Sequence, residues 1–533
     1  MAALELVVLI GAAVLGGELL ARRFRLPSPL ILVVVGAGLS FLPGLRTVQF
    51  PPDIVLLIFL PALVYWESLD STSLREIRLN LRVIVLAAVG LVLATAFCVG
   101  AIGSALGLTW PLALTLGAIV APTDATAVAS VGATLPRRTS AILRTESLVN
   151  DGTSLALYGV AVGAVVTGGH VSLPLFGAEF VWSAVASVAI GLAVGGLVLW
   201  IRRYVTEEHL ASTLSLLTPF LAFLPAEEAH ASGVVAVVVC GIVIAQGGPR
   251  VIPAAARRQV FGFWQVASFV LNDVLFVLTG LQLHQIVTGL DAGSRSLVLA
   301  LAAAVTAVVI GLRLLWFHTV PYVLRALDRR PVQRTRRLSA RHRTPLAWAG
   351  MRGSISLAAA LALPLSTDSG LPLPHREALI AVTFAVIVLT VAAQGLTLPA
   401  VLRWSRLPAD PTQDYEEALA LRTAYQTAVK ALPAIAADLG APDEVRDRLV
   451  MQYRAQVDEL KATMDDNSKS VASAEATMTD WERQLGRAVL PAKRDAVLGL
   501  RHAGRIDDVV LRRVQARFDA QELRLSDVVD EDT

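Results

Sequence analysis

No lysine precedes Lys430, and the whole chain of 533 residues has two cysteines, Cys98 and Cys240, each inside an apolar run. So few cysteines exclude a disulfide framework, and no Cys/His cluster offers the soft ligands of a transition-metal site. No phosphate-binding loop or dinucleotide fingerprint is present, which argues against ATP-driven chemistry and leaves no cofactor to expect. The N-terminal Met1-Ala-Ala-Leu-Glu-Leu lacks a basic leader and a small-residue cleavage site, so the first apolar run is expected to be retained as a span. The formal charge of +3 hides two opposite balances. Residues 1–402 carry 27 Lys+Arg against 19 Asp+Glu, whereas residues 403–533 carry 19 against 24. The basic excess sits in short loops between apolar runs, so it does not point to nucleic acid.

What is abundant is apolar sequence: 55% hydrophobic residues, with a mean hydropathy of +0.62. Apolar runs long enough to cross a bilayer fall at about 2–21, 28–43, 52–69, 82–106, 110–132, 140–167, 177–202, 209–225, 230–247, 260–285, 296–325, 343–364 and 376–402. Beyond residue 402 the sequence turns polar and helix-prone, with splits near Gly440-Ala441-Pro442 and Pro491. The expected organisation is a transmembrane domain, 1–402, and a soluble helical domain, 403–533. Arginines concentrate in alternate connections: Arg22, Arg23 and Arg25; Arg75, Arg78 and Arg82; Arg137, Arg138 and Arg144; Arg202 and Arg203; Arg250, Arg257 and Arg258; and a cluster from Arg325 to Arg343. The other connections hold Arg46, Arg295 and Arg376. The positive-inside rule then puts the N-terminus outside and the tail in the cytoplasm, and the expected location is the cell membrane.

Two runs carry breakers at mid-depth. The fifth has Pro122 beside Thr123-Asp124, and the twelfth has Gly350-Met351-Arg352-Gly353. Interrupted spans at corresponding positions of two halves point to a transporter binding site. With the seventh run as linker, runs 1–6 and 8–13 make two six-helix repeats of inverted topology whose broken helices cross. The predicted fold is therefore an all-α polytopic membrane protein of about 13 transmembrane helices with a helical cytoplasmic tail.

Asp124, in the fifth run, and Asp151, in the sixth, are the informative residues. A carboxylate in hydrocarbon costs roughly 2.5–3.5 kcal/mol on insertion scales. It persists only facing a bundle interior or a wet cavity, where it holds a cation, a proton, or each in turn. Glu146 and Asn150 share one face of the sixth helix, and Ser147 and Asp151 share the neighbouring face. Pro122 disrupts the local helix and frees carbonyls around Ala121–Thr123. Together with Asp124, Asp151 and the Ser147 and Thr126 hydroxyls, these are the hard oxygen ligands an alkali cation prefers. Arg352 needs an acidic partner, and Glu146 is the candidate. Glu67 reads either as a gate or peripheral ligand, or as an interfacial acid near Arg75. Asn272 is expected to hydrogen-bond across helices more than to touch an ion. Arg313 is expected to snorkel or to pack against a carbonyl. Desolvation disfavours a charged carboxylate and a bound cation favours it, so one acid that takes either partner makes an exchanger. A neutral Asn150 beside a single titrating Asp151 predicts one proton per monovalent cation.

These segments resemble the cation/proton antiporters, and among them the NhaP/NHE-like sodium/proton exchangers. The likeness lies in Phe59-Leu-Pro-Ala-Leu-Val-Tyr-Trp-Glu67, Ala121-Pro-Thr-Asp-Ala-Thr-Ala-Val, Glu146-Ser-Leu-Val-Asn-Asp-Gly, Ala226-Glu-Glu-Ala-His-Ala-Ser-Gly233, Asn272-Asp-Val-Leu-Phe-Val-Leu-Thr-Gly-Leu-Gln282 and Gly350-Met-Arg-Gly-Ser-Ile-Ser-Leu. The resemblance implies a homodimer of thirteen-span, inverted-repeat protomers and electroneutral exchange on the Asn-Asp branch. It implies that Asp151 binds Na+ or the proton, helped by Asp124, Ser147 and the Thr123 carbonyl, and that Glu146 pairs with Arg352. Trp66 shifts Glu67 one residue late against the usual Leu-Pro-Pro-Leu-Leu-Tyr-Glu spacing, which weakens its claim as a gate. Within the class, a potassium/proton exchanger is the alternative. An intramembrane aspartyl protease would need Tyr-Asp and Gly-x-Gly-Asp on adjacent spans, where this chain has Asn-Asp-Gly and Pro-Thr-Asp. Two broken spans with a titratable acid argue against an open channel.

Overall fold

The computed structural model describes residues 3–42, 45, 55–70, 82–131, 135, 137–168, 173–205, 207–290, 292–327, 339–406 and 412–464. Arg46, Arg75, Arg78, the stretch 328–338 and the tail from 465 on, including Pro491, lie outside the described residues. The chain divides into two units, Met1–Pro408 and Ala409–Thr533.

The first unit is built of helices. Among the described residues nine of them are long and apolar enough to cross a membrane, and two shorter apolar helices, Ser28–Leu39 and Gly233–Pro249, accompany them. The only β feature among those residues is one isolated bridge between Ser366 and Pro372. The protein is thus an all-helical, multi-pass membrane protein. This follows from solvation: in hydrocarbon every backbone polar group must be satisfied internally, and a helix does so within one segment.

In chain order the helices are α1 (Ala3–Phe24), α2 (Ser28–Leu39), α3 (Leu60–Asp70), α4 (Val92–Ala105), α5 (Trp110–Val120), α6 (Ala125–Ala129), α7 (Arg137–Thr167), α8 (Leu173–Arg202), α9 (Glu208–Glu228), α10 (Gly233–Val251), α11 (Ala254–Leu281), α12 (Leu283–Gly289), α13 (Ala292–Leu327), α14 (Ala340–Trp348), α15 (Ser354–Leu361) and α16 (Arg376–Ser405). α3 and α4 are each entered through a π-helical turn, Val55–Phe59 and Leu86–Leu91. Prolines set some starts: Pro27 is the N-cap of α2, with Pro29 in its first turn, and α5 likewise carries Pro111 there, where the missing N–H has no intrahelical partner to lose.

Close backbone approach holds α2 against α11. A Cβ on Gly36 would overlap the Val277 carbonyl, and one on Gly280 would overlap that of Val33. Small residues at such crossings let helices pack tightly where no hydrophobic effect drives them together. α5 packs against α4 and α7, and the short α15 packs against α5, α11 and α16. The largest buried apolar cluster runs through these elements and includes Leu32, Leu116, Phe276, Leu301 and Ile387.

The second unit contains α17 (Thr412–Leu439) and α18 (Asp443–Met464). They are split at Gly440, whose φ of 63° is left-handed. Its N–H donates to the Ala437 carbonyl at 3.2 Å, and that of Ala441 donates to Ala436 at 2.9 Å. This is a Schellman C-cap. The rings of Tyr425 and Tyr453 lie 5.6 Å apart across the two helices.

Candidate ion-binding site

Two helices of the first unit are broken in mid-course, and the breaks meet. One break, residues 121–124, separates α5 from α6; the other, residues 349–353, separates α14 from α15. The Asp124 N–H donates to the Met351 carbonyl at 2.9 Å, tying one break to the other. A Cβ on Gly353 would collide with the Asp124 carboxylate, so glycine there lets the two strands of chain approach.

Each break creates a helix N-terminus with spare N–H groups and a C-terminus with spare carbonyls. The spare groups find partners. Asp124 caps α6: its Oδ1 accepts from the N–H of Thr126 at 2.8 Å and of Ala127 at 3.1 Å, and from the Thr126 hydroxyl at 2.5 Å. Such a cap is the residue type and geometry a helix N-terminus prefers. At the C-terminal end of α5, the Arg352 guanidinium donates to the Ala121 carbonyl. At that of α14, Arg313 donates to the carbonyls of Leu346 at 3.1 Å and Ala349 at 3.3 Å. Anionic groups at N-termini and cations at C-termini both complement the helix dipole.

α7 supplies the stripe that fills the first break. The Ser147 hydroxyl donates to the Thr123 carbonyl at 2.7 Å and accepts from the Ala125 N–H at 3.2 Å. Asn150 Nδ2 donates to the Thr123 hydroxyl at 2.8 Å. One turn further on, the Ser154 hydroxyl donates to the Ala118 carbonyl at 2.9 Å. Ser154 was not singled out from sequence. Its spacing of four from Asn150 and seven from Ser147 puts it on the same helical stripe, which was the available signal.

A cavity of about 30 Å³ lies where these elements meet, with Glu67, Thr123, Asp124, Ser147, Asp151 and Asn272 in its wall. Asp151 is only 6% exposed. The sequence candidates Asp151, Asp124, Ser147, Thr123, Glu67 and Asn272 therefore converge on one small, oxygen-rich space, while Asn150 braces it from behind through Thr123. Asn272 Oδ1 lies 3.1 Å from the Thr126 hydroxyl, linking α11 to α6. Gly353, Ile355 and Ser356 also line the cavity; of these, sequence reading had marked Gly353 only as a helix breaker.

The pairing of Glu146 differs from the one expected. Glu146 is held by Arg313, not by Arg352. The Arg313 guanidinium grips both carboxylate oxygens, Nη2 to Oε2 at 3.1 Å and Nη1 to Oε1, with both side chains buried. Arg352 instead turns to the Ala121 carbonyl. The reason is geometric. Arg313 stands on the continuous helix α13 with its guanidinium between Glu146 and the end of α14, and Gly350 leaves room for its stem. Arg352 sits inside the second break, where the nearest uncompensated group is the C-terminus of α5. The planar fork of arginine suits a bidentate, buried carboxylate. Arg313 does reach carbonyls, as expected, but its carboxylate bond was missed because 167 residues separate it from Glu146.

Helices broken at a shared crossing, with buried acids and hydroxyls around a small cavity, are the arrangement of a secondary transporter's binding site, and the family and relatives the chain matches are secondary transporters. The sodium/hydrogen exchanger transmembrane family model matches residues 8–404, and the chain belongs to that family. It is 42% identical over 531 residues, 99% of this chain and 97% of the other, to an uncharacterized Na(+)/H(+) exchanger of Mycobacterium bovis. It is 29% identical over 426 residues, 77% of this chain and 76% of the relative, to the Na(+)/H(+) antiporter ApNhaP of Aphanothece halophytica. The solved sodium proton antiporter MjNhaP1 from Methanocaldococcus jannaschii matches with a TM-score of 0.55 over 76% of this chain and 99% of that one; at 18% identity the likeness is one of fold.

Proposed function

We propose that this chain exchanges a monovalent cation, Na+ foremost, for a proton at Asp151, one for one and without net charge movement. Family membership supports sodium/proton antiport as the reaction class. The carrying observation is the contrast between the two acids at the cavity. Asp124 Oδ1 takes three donors as a helix cap, whereas among the described residues no hydrogen bond ties the Asp151 carboxylate, which lines the cavity. Asp151 is thus the group left to take a cation or a proton. Asp124, through its other oxygen, Ser147 and the Thr123 carbonyl are the proposed helpers, with Glu67 at the mouth. A space near the volume of one water molecule suits an alkali ion stripped of most of its shell, with protein oxygens replacing the lost waters.

Asn150 is neutral and engaged with Thr123, which leaves Asp151 as the single titrating member of its pair and favours one proton per ion. Proposed with this reading are thirteen spans in two inverted repeats, since helices occupy all thirteen apolar ranges and the breaks are seven ranges apart. So are a homodimer, an external N-terminus, a cell-membrane location, and a cytoplasmic helical domain from about residue 403. Alternating access would carry the site from face to face. A potassium/proton exchanger is the second reading, as the relatives of this chain include an antiporter of Bacillus pumilus named for sodium, potassium, lithium and rubidium.

The test is purified protein in liposomes with an internal pH dye. Sodium, potassium, lithium or choline is added outside, with and without a potential clamp. The expected result is a cation-specific pH change that the clamp does not alter and that Asp151→Asn removes while the variant stays folded. No response to any alkali cation between about pH 6 and 9 would overturn the reading.

A further inference from the structure

The ion cavity adjoins a larger one of about 200 Å³. The two share Leu63, Glu67, Thr126 and Asn272 in their walls, and the larger adds Asp70 and Arg144. This larger space is a vestibule to the site. Its lining includes a fixed positive charge, which is unexpected on the path of a cation. Arg144 is half-buried and stands on α7, three residues before Ser147 and seven before Asp151, so all three share one helix face. Seven residues correspond to about 10 Å of helix rise. Arg144 therefore sits roughly two turns outward of Asp151 along the same stripe. Both acids of the vestibule, Glu67 and Asp70, share its walls with Arg144.

We propose that Arg144 is a specificity-determining residue for exchange: a tethered counter-cation in the vestibule that competes with the incoming ion for Glu67 and Asp70 and so sets the apparent cation affinity. This rests on the antiport reading. The competition is electrostatic. An ion approaching Glu67 must displace the guanidinium's share of the local field or accept its repulsion. A cavity with low-dielectric walls focuses that field. Arg144 does not touch the ion once it is at Asp151, so its effect belongs to KM for the cation rather than to turnover. The residue acts as a brake on loading from the vestibule side, keeping the exchanger from saturating at low cation concentration.

The experiment measures KM and Vmax for Na+ in proteoliposomes at pH 8 for the wild type, Arg144→Gln and Arg144→Lys. Loss of the charge is expected to lower KM by about three- to ten-fold with Vmax changed less than about two-fold, the range for a unit charge at this separation in a partly wet cavity. The lysine variant keeps the charge and is expected to stay near the wild-type KM. Added choline chloride should shrink the difference between Gln and wild type, because salt screens the charge. An unchanged or raised KM in Arg144→Gln overturns the proposal, and so does an equal shift in Arg144→Lys. If the Gln variant does not fold, Arg144→Cys in a Cys98→Ala background replaces it. A cationic trimethylammonium-ethyl thiol reagent should then raise KM above that after a neutral methyl reagent in the same folded protein, and equal values overturn the idea. A wild type that exchanges no alkali cation fails the antiport reading itself; a wild type that exchanges normally beside an indifferent Arg144→Gln fails only this inference.

Discussion

The two breaks do the same local job with opposite chemistry. The first, at Ala121–Asp124, carries an acid and hydroxyls and is filled by polar groups of α7. The second, at Ala349–Gly353, carries no acid; it contributes glycines and an arginine. Each break leaves a helix C-terminus bare, and each C-terminus meets a guanidinium: Arg352 reaches the end of α5 and Arg313 the end of α14. The cap of α5 thus comes from the opposite break, and the cap of α14 comes from the unbroken helix α13. At the N-terminal ends the contrast is sharper. Asp124 caps α6 directly, and α15 starts at Gly353 with no side-chain cap but with the same Asp124 carboxylate against it. One acid therefore lies beside two positive helix ends and caps one of them. The lesson is a division of labour: the first break carries the acid and hydroxyls that line the cavity, and the second supplies room and countercharge.

The largest effect is expected from Gly353→Val. Its side chain must enter space held by the Asp124 carboxylate, so the crossing opens, exchange is lost, and the thermal midpoint in detergent falls. A variant with wild-type exchange would show that the close approach is dispensable. Next comes the buried pair. Arg313→Ala leaves Glu146 charged and unpartnered in the core, which costs about 3–5 kcal/mol, and Glu146→Ala in the same chain should recover part of that. Arg352→Ala loses one charge-assisted hydrogen bond to a carbonyl, about 1.5–3 kcal/mol, and Glu146→Ala should not rescue it. A double-mutant cycle on thermal or denaturant stability separates the two cases; coupling of Glu146 to Arg352 in place of Arg313 would contradict the geometry. The smallest effect is expected from Ser147→Ala. The Thr123 carbonyl and Ala125 N–H each lose a partner, for about 1–3 kcal/mol of stability, with a raised cation KM but exchange retained.

Much of this was legible in sequence because the signals are local. Pro122 and the Gly350–Gly353 pair mark helix breaks by their own backbone chemistry, and helical spacing puts Ser147, Asn150 and Asp151 on adjoining faces. The polarity step after residue 402 reads directly as a change of solvent. The Glu146 partner was not legible. A buried acid demands a cation, but sequence offers two arginines in neighbouring apolar runs, Arg313 and Arg352, and no local rule ranks them. The choice depends on which guanidinium the assembled crossing leaves nearest, a property of helix packing. The proximity of Gly353 to Asp124 was hidden for the same reason, since glycine in a broken span reads equally as flexibility or as closeness. The vestibule position of Arg144 was hidden by its sequence role: beside Arg137 and Arg138 it reads as one more loop charge fixing topology.

In the proposed exchange a cation and a proton compete for Asp151. Calorimetric titration of purified protein with NaCl, repeated in buffers of differing ionisation heat, counts the protons released per ion bound. About one proton is expected to be released per cation for the wild type, with no cation binding or proton release for Asp151→Asn. Cation binding with no proton release, or undiminished release in Asp151→Asn, would contradict it.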